Sequence, residues 1–292
     1  MKIRLGTRGS ALALVQSRTT ASQLEALGCE VELIIIKTQG DLNQRDSLSQ
    51  IGGKGVFVKE IEQALLAGSI DMAVHSLKDL PSQSPAGLAL SAPPQRADAR
   101  DALVAAQPFE ELPSGARVGT GSARRQSQLR LLRPDLEYAD IRGNVPTRVE
   151  KWRDGEYPGG VVLACAGLAR LGNEANVALG ELHPLGIDQC LPAPCQGILG
   201  LQYRQQDLAI AEALNALSHA ETDLCCRAER AFLEALGGDC NLPAAGYAQV
   251  DSGQRLVFRG RLWWREEMRE CHLEGDDPEH LGRQAASQLQ SP

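Results

Sequence analysis

The sequence predicts an α/β protein that ends in a smaller α+β unit, and three observations lead there. Short apolar strand candidates alternate with helical stretches through the first two thirds of the 292 residues. Such alternation gives a mostly parallel sheet covered by helices on both faces. From about residue 220 the grammar changes to one helix, a Gly237-Gly238 stop and strands in meander order. The composition, 43% hydrophobic and 23% charged, is globular, and the length allows two domains with room for a third small one.

The elements follow in order. Strands are expected at Ile3–Gly6, Val31–Lys37, Ile70–His75, Leu88–Ser91, Ala102–Ala105, Val118–Thr120, Tyr138–Ile141, Val161–Cys165 and Ile198–Tyr203. Ser10–Leu27 reads as a helix because Gly28 supplies its C-terminal stop, and Val56–Leu66 because Phe57, Ile61, Ala64 and Leu65 share one face ahead of Gly68. Further helices are expected at Ser122–Leu132, Val145–Asp154 and Asp207–Ser218. In the last unit Glu221–Leu236 is followed by strands Gly246–Val250, Leu256–Trp264 and Met268–Leu273. A closing helix, Pro278–Leu289, has Asp277 as its N-cap. Pro93–Asp98 reads as a hinge between the first two domains, and Leu191–Pro194 as a second crossing. The division expected is 1–95 with 196–217 as domain 1, 98–192 as domain 2 and 220–292 as domain 3.

Several function classes drop out. No stretch of about 18 apolar residues exists to span a membrane, and the N-terminus lacks an apolar core of signal-peptide length. Eight scattered cysteines without a CxxC suggest reduced thiols and a cytoplasmic location. Five histidines share no ligand-like spacing with the cysteines, so no metal is expected. Neither a Walker A motif nor a GxGxxG after a strand is present, which disfavours nucleotides.

The formal charge of −7 conceals a basic zone: residues 115–153 carry nine basic against four acidic groups. A small basic zone inside an acidic chain suits a pocket for small anions better than a nucleic-acid surface. Arginine outnumbers lysine 24 to 6, and its planar fork matches carboxylates and phosphates.

An internal echo points the same way. Leu5-Gly6-Thr7-Arg8-Gly9-Ser10-Ala11 recurs as Val118-Gly119-Thr120-Gly121-Ser122-Ala123-Arg124, each a strand, a Gly-Thr turn and a serine able to cap the next helix. Helix N-termini bind anions, and two such domains facing each other would bring both sites to one substrate. Arg124-Arg125 in a first helical turn opposes the helix dipole, so either an anionic ligand or a tertiary partner must compensate. Arg142-Gly143-Asn144-Val145-Pro146-Thr147-Arg148 repeats the pattern one strand on. Four guanidinium groups at adjacent strand ends make a polycarboxylate or polyphosphate clamp, or a structural ion-pair network. His75–Pro81 closes a strand at the end where open α/β sheets place ligands, with Lys78 and Asp79 at the edge; His75 itself reads as structural. Cys240 stands in a glycine-rich loop past a helix end, and the Cys225-Cys226 pair reads as core.

Together these segments resemble the porphobilinogen deaminase family, also called hydroxymethylbilane synthases. The motifs that carry the resemblance are Gly6–Ala13, Gly52-Gly53-Lys54-Gly55 through Glu60, Ala73–Pro81, Val118–Ser122 with Arg124-Arg125-Gln126, Arg142–Val145 with Thr147-Arg148, and Gly237–Cys240 with Pro243. They fall in family order and span residues 5 to 247. The resemblance implies two domains built like periplasmic anion-binding proteins around a cleft, with a third α+β domain. It implies a transferase of porphyrin and haem biosynthesis that condenses four porphobilinogen molecules head to tail, releasing ammonia, to hydroxymethylbilane. It further implies a dipyrromethane primer held by a thioether to Cys240, and a monomer without nucleic-acid or membrane partners.

Site roles are implied residue by residue. Asp79 is the carboxylate that steadies the cation left when the amine departs and handles protons there, with Lys78 beside it. Ser10, Lys54, Ser76, Thr120, Ser122, Arg124, Arg125, Arg142 and Gly143 join Cys240 and Asp79 around the cofactor; Arg8, Ser10, Arg142 and Arg148 hold substrate carboxylates. Asp41 resembles another cleft acid, and Gln196 lies in the second-crossing motif. Three departures stand out: Pro194-Cys195 replaces small or glycine residues, Gln202 stands where a glutamate is common, and Gln50 where a lysine is frequent. The alternative function is a non-catalytic anion-binding or sensor protein of the two-domain cleft type. That reading leaves the cysteine-bearing third domain and the His75–Pro81 acid without a purpose.

Overall fold

The computed structural model describes residues 1–38, 58–237, 243–264 and 267–291. Strands β1 (Lys2–Thr7), β2 (Glu30–Ile35), β3 (Met72–Ser76) and β4 (Leu88–Leu90) begin a first sheet, and β5 (Asp101–Val104), β6 (Arg117–Gly119), β7 (Glu137–Ala139), β8 (Val161–Ala164) and β9 (Leu182–Pro184) make a second. The chain then returns as β10 (Leu199–Arg204) to the first sheet, whose order is β2-β1-β3-β10-β4; the second runs β7-β6-β8-β5-β9. The two orders correspond strand for strand. In each, the first three strands are parallel and the fourth pairs antiparallel with both neighbours.

The expected mostly parallel sheets are therefore mixed, with half of the pairings antiparallel. The reversed strands, β5 and β10, are those by which the chain enters a sheet after crossing over. A strand delivered that way is free of the βαβ connection that forces its neighbours parallel.

Helices α1 (Ala11–Ala26) and α2 (Lys59–Leu66) belong to the first sheet, α3 (Ala123–Leu132), α4 (Val145–Arg153) and α5 (Cys165–Leu171) to the second, and α6 (Leu208–Asn215) again to the first. Apolar residues of α1 and α6 pack with Ile3, Leu5, Met72 and Leu201 on one face, while Ile61 and Leu65 of α2 cover Ile70 and Ala73 on the other. The second sheet is covered in the same way, by Leu129 of α3 on one face and by Val149 of α4 and Leu168 of α5 on the other. Helix α5 and strand β9 were not anticipated from sequence. Both are short, and α5 continues without a break from a strand, so no turn residue announces it.

The last unit has the expected meander β11 (Ala244–Val250), β12 (Leu256–Trp264) and β13 (Glu267–Gly275), covered by α7 (Ala220–Ala235) and α8 (Pro278–Gln290). Asp277 caps α8 by accepting from the His280 N–H at 2.9 Å. The two helices meet closely at Gly282, where a Cβ would fall 2.1 Å from the Ala228 carbonyl oxygen.

The two crossings run side by side. Ala97 N–H donates to the Gly197 carbonyl at 3.2 Å, and Gly197 has φ +88° with no room for a Cβ against Ala97 O. The third unit docks on them through Gly246 N–H to Pro192 O, His219 N–H to Pro93 O and Arg261 to the Gln128 side chain. No helix among the described residues is long and apolar enough to cross a membrane.

Candidate active site

The echoed turns occupy equivalent places. Ser10 at the end of β1 caps α1 by accepting from Ala13 N–H at 3.4 Å, and Ser122 after β6 caps α3 by accepting from Arg125 N–H at 3.4 Å. Thr7 and Thr120 beside them are fully buried, and Thr120 Oγ1 accepts from Ser122 N–H. After β7, Asn144 caps α4, and Gly143 takes φ +111° where a Cβ would fall 2.7 Å from the Thr147 methyl. Arg8, the Arg124-Arg125 pair, Arg142, Arg148, Lys78 and Asp79 thus all follow the C-terminal ends of strands.

The arginines divide into two kinds. Arg124 and Arg125 are buried against Asp101, which is itself without exposure. Arg124 Nη2 donates to one carboxylate oxygen at 2.8 Å, while Arg125 Nη2 and Nε donate to the other at 2.6 and 3.0 Å. Their remaining forks go to backbone carbonyls, Arg124 Nη1 to Leu191 O and Arg125 Nη1 to Val162 O. Burial opposes ionisation of Asp101, but the two guanidinium groups outweigh it and hold the carboxyl far below its ordinary range. Of the two compensations open for cations in a first helical turn, this pair uses the tertiary partner.

Arg142 and Arg148 differ. Arg142 makes no hydrogen bond or ion pair among the described residues, and the hydrogen bond of Arg148 runs from Nε to the Gly143 carbonyl at 2.8 Å. Burial first, and then the charges of Arg125 and Arg142, pull the Arg148 guanidinium down to about 10 against the opposing Asp79 carboxylate. Arg170 on α5, not singled out in the sequence, is a third such cation: burial lowers it, and its Nη2 donates to Gly197 O at 2.7 Å. Its signal was available, as the lone charge in the apolar run Cys165–Leu171.

The acid at the edge sits in a single 3₁₀ turn, Leu77–Asp79, that leaves Asp79 exposed. Lys78 Nζ donates to Gln196 Oε1 at 3.1 Å, and Gln196 Nε2 donates on to Asp101 Oδ1 at 2.9 Å and Ala99 O at 2.7 Å. One buried amide on the second crossing thereby joins a cation of the first sheet to the ion-paired centre of the second. Burial lowers the Lys78 ammonium to about 8, with Asp79 pulling upward and Arg125 downward. Ser76 is engaged by Gln16, whose Nε2 donates to Ser76 Oγ at 2.9 Å.

A second buried carboxylate ties the two crossings together. Glu229 on α7 receives Arg96 through both oxygens, at 2.6 and 3.2 Å, together with the N–H groups of Cys195 and of Ala248. The first crossing, the second crossing and the third unit converge on it. Glu229 was legible as an acid on the apolar stripe of Cys225 and Phe232, but its partner Arg96 lies 133 residues away.

Cys240, Lys54, Asp41 and Gln50 lie outside the described residues. The flanks of the first are placed: α7 precedes it, and Pro243 leads into β11 beside the second crossing. The donor set suits a polycarboxylate, since Arg142, Arg148 and Arg170 have no carboxylate within ion-pairing distance among the described residues. Those residues include no group of three or more His, Cys, Asp or Glu able to hold a metal ion.

Comparison with known proteins gives the chain its relatives. Residues 3–212 match the family model for the porphobilinogen deaminase, dipyromethane cofactor binding domain, and residues 223–291 the one for the porphobilinogen deaminase C-terminal domain. The porphobilinogen deaminase of Syntrophus aciditrophicus (strain SB) is 46% identical over 264 residues, 89% of this chain and 84% of that one. That of Lachnospira eligens is 44% identical over 297 residues, covering 99% of both. Among solved structures, the methionine binding protein MetQ aligns with a TM-score of 0.44 at 13% identity, over 74% of this chain and 89% of that one.

Proposed function

The chain belongs to the porphobilinogen deaminase family, enzymes of tetrapyrrole synthesis, and from that premise we propose that it condenses four porphobilinogen molecules head to tail, with release of ammonia, into hydroxymethylbilane. A dipyrromethane held by a thioether to Cys240 supplies, when bound, the pyrrole on which the chain grows. The observation that carries the reading is the pair Arg142 and Arg148, cations beyond the end of β7 with no ion-paired acid among the described residues, with Asp79 the carboxylate that acts on Arg148.

The residues supply the rest of the chemistry. Each porphobilinogen carries an acetate and a propionate, so Arg8, Arg142, Arg148 and Arg170 hold carboxylates in charge-assisted bonds, with Ser10 at the adjoining helix N-terminus. Thr120, Ser122, Gly143 and Ser76 line the cofactor side. Arg124 and Arg125, their forks taken up by Asp101 and by backbone carbonyls, brace the cofactor side from beneath, and Lys54 adds a cation. Asp79, exposed at the turn, faces the cation that forms as the amine leaves and takes the proton from the attacking pyrrole. Lys78, its ammonium drawn down to about 8, provides a proton near that site. Residues 1–95 with 196–217, 98–192 and 220–292 act as three domains, the two crossings serving as the hinge. The protein works as a cytoplasmic monomer.

The test is an intact-protein mass spectrum with peptide mapping of residues 237–247. An added mass of two condensed porphobilinogen units on Cys240, absent from Cys240→Ser, is the expected result; a bare thiol that porphobilinogen cannot load sinks the reading. In the loaded enzyme, Asp79→Asn lowers elongation by roughly 10²–10³-fold, and near-normal turnover removes Asp79 from its role.

A further inference from the structure

One face of α7 is zipped to the segment that carries Asp79. Cys226, Arg230 and Glu234 recur every four residues, which stacks them on a single face of the helix, one turn apart. Cys226 packs in one buried cluster with Leu77 and Leu80, the apolar residues on either side of Lys78-Asp79. One turn on, Arg230 Nη2 donates to the Pro81 carbonyl at 3.2 Å and to the Ser82 carbonyl. At the third level Glu234 Oε1 accepts from Gln83 Nε2 at 3.0 Å. Helix and segment advance together, rung by rung, from Leu77 to Gln83.

The middle rung is the informative one. Arg230 is half-buried and forms no ion pair among the described residues; its donors go to main-chain carbonyls. What it fixes is therefore the path of the backbone, which Pro81 already stiffens. The other end of the turn is held as well. Leu77 N–H donates to the Ile198 carbonyl, just ahead of β10, at 3.0 Å, and Leu80 N–H to the Leu77 carbonyl at 3.1 Å. Asp79 stands exposed between these two anchors. On the helix side, α7 ends within one turn of Glu234: Gly237 N–H donates to the Glu234 carbonyl at 3.0 Å and takes φ +97°, three residues before Cys240 in the sequence.

We propose that Arg230 is a positioning residue for the condensation: with Cys226 and Glu234 it registers the end of α7, and so the residues leading to Cys240, against the turn that carries Asp79. The link to the reaction rests on the roles given to Asp79 and Cys240 above. A helix rises about 1.5 Å per residue without slack, so a rung fixed at Arg230 fixes the helix end one to two turns away. A misplacement of about 1 Å at reacting groups can cost roughly a hundredfold in rate. The offset matters most when the tether to Cys240 is shortest, and each porphobilinogen joined lengthens that tether. The first addition is therefore the one that Arg230 serves most.

The test compares wild type, Arg230→Gln and Arg230→Lys, all cofactor-loaded, by two readouts. In hydrogen exchange, Arg230→Gln is expected to speed the peptides covering 77–84 and 237–247 several-fold together, while those of β12 and β13 keep the wild-type rate. In mass spectra of enzyme quenched during one round with porphobilinogen, the first addition in Arg230→Gln slows by roughly tenfold to a hundredfold. Later additions slow less, and Arg230→Lys, which keeps a donor for the carbonyls, lies between. A second series leaves Arg230 in place and uses the exposed rung. Gln83→Glu sets two carboxylates against each other and slows the first addition about twofold; adding Glu234→Gln restores it, with donor and acceptor exchanged. A first addition as fast as wild type in Arg230→Gln, or every addition slowed alike, overturns the positioning role. Unmoved exchange at 237–247 overturns the registration of the helix end. A wild type that adds no porphobilinogen overturns the reaction and with it the role, whereas coupled exchange of the two segments would still uphold the registration.

Discussion

Two pairs of arginines stand at neighbouring strand ends of the same sheet and have opposite fates. Arg124 and Arg125, opening α3, close on Asp101, a carboxylate with no exposure at all. Arg142 and Arg148, around the start of α4, have no carboxylate of their own among the described residues, and burial with neighbouring cations draws Arg148 down to about 10. The sequence around the two pairs is alike: strand, glycine turn, capping side chain, helix. What separates them is one residue on another strand. A guanidinium with an internal acid belongs to the frame, whereas one without it keeps its charge for something that arrives.

The largest expected effect follows from the closed pair. Asp101→Asn leaves two buried guanidinium groups without a counter-charge, and losing one partner of a buried ion pair costs about 3–5 kcal/mol. Chemical denaturation should show a loss of that size, against a change within about 1 kcal/mol, of either sign, for Arg148→Gln, which removes a charge the fold does not neutralise. Equal losses in the two variants would erase the distinction.

The open pair gives the next effect, and it appears in binding. A charge-assisted hydrogen bond contributes about 1.5–3 kcal/mol, so Arg148→Gln should weaken porphobilinogen binding by roughly tenfold to a hundredfold. Steady-state kinetics on cofactor-loaded enzyme measure it as a rise in KM. An Arg148→Gln enzyme with the wild-type KM would make the open pair as structural as the closed one.

How much of this was legible in the sequence depends on whether the partner was local. The strand–glycine–serine–helix turns were legible because capping is settled within four residues, and both Ser10 and Ser122 cap as read. The strands and long helices followed from periodicity, and the echo between the first and second sheets corresponds to one strand order used twice. Asp101 was not legible. It opens the apolar run Asp101–Val104, read as a strand from Ala102, and nothing in the 23 residues before Arg124 says that the two meet. The partners of Gln196 and Glu229 escaped for the same reason: each side chain is buried, polar and satisfied by segments that only the folded chain brings near.

Acid sharpens the comparison further. Asp101 is held below its ordinary 3.8, so its stabilisation is complete above that pH and is lost as pH falls through the lower folded value. The stability gap between wild type and Asp101→Asn should therefore stay constant from neutrality down to about pH 4. Below that it should shrink by at most roughly 1.4 kcal/mol per pH unit, because the unfolded wild type takes up a proton that the folded one refuses. Arg148→Gln should show no such convergence with wild type in acid melts, and convergence of both would mean that the fold does not distinguish the pairs.

The smallest effect belongs to a position where no charge is at stake. Cys195 is buried on the second crossing with φ +61°, the left-handed region that favours glycine, and it packs with Leu77, Leu80, Ile198 and Cys226. Cys195→Gly relieves about 1–2 kcal/mol of backbone strain. Against that, it loses a buried thiol and gives the unfolded chain about 0.4–1 kcal/mol of extra freedom. These terms nearly cancel, and the Cys195 N–H still donates to Glu229, so the second crossing keeps its buried acid. The denaturation midpoint should move by the equivalent of about 1 kcal/mol or less. A larger loss would show that the thiol holds the crossing against Cys226 by more than packing, and that the crossing, like Arg124 and Arg125, depends on a side-chain partner supplied by a distant part of the chain.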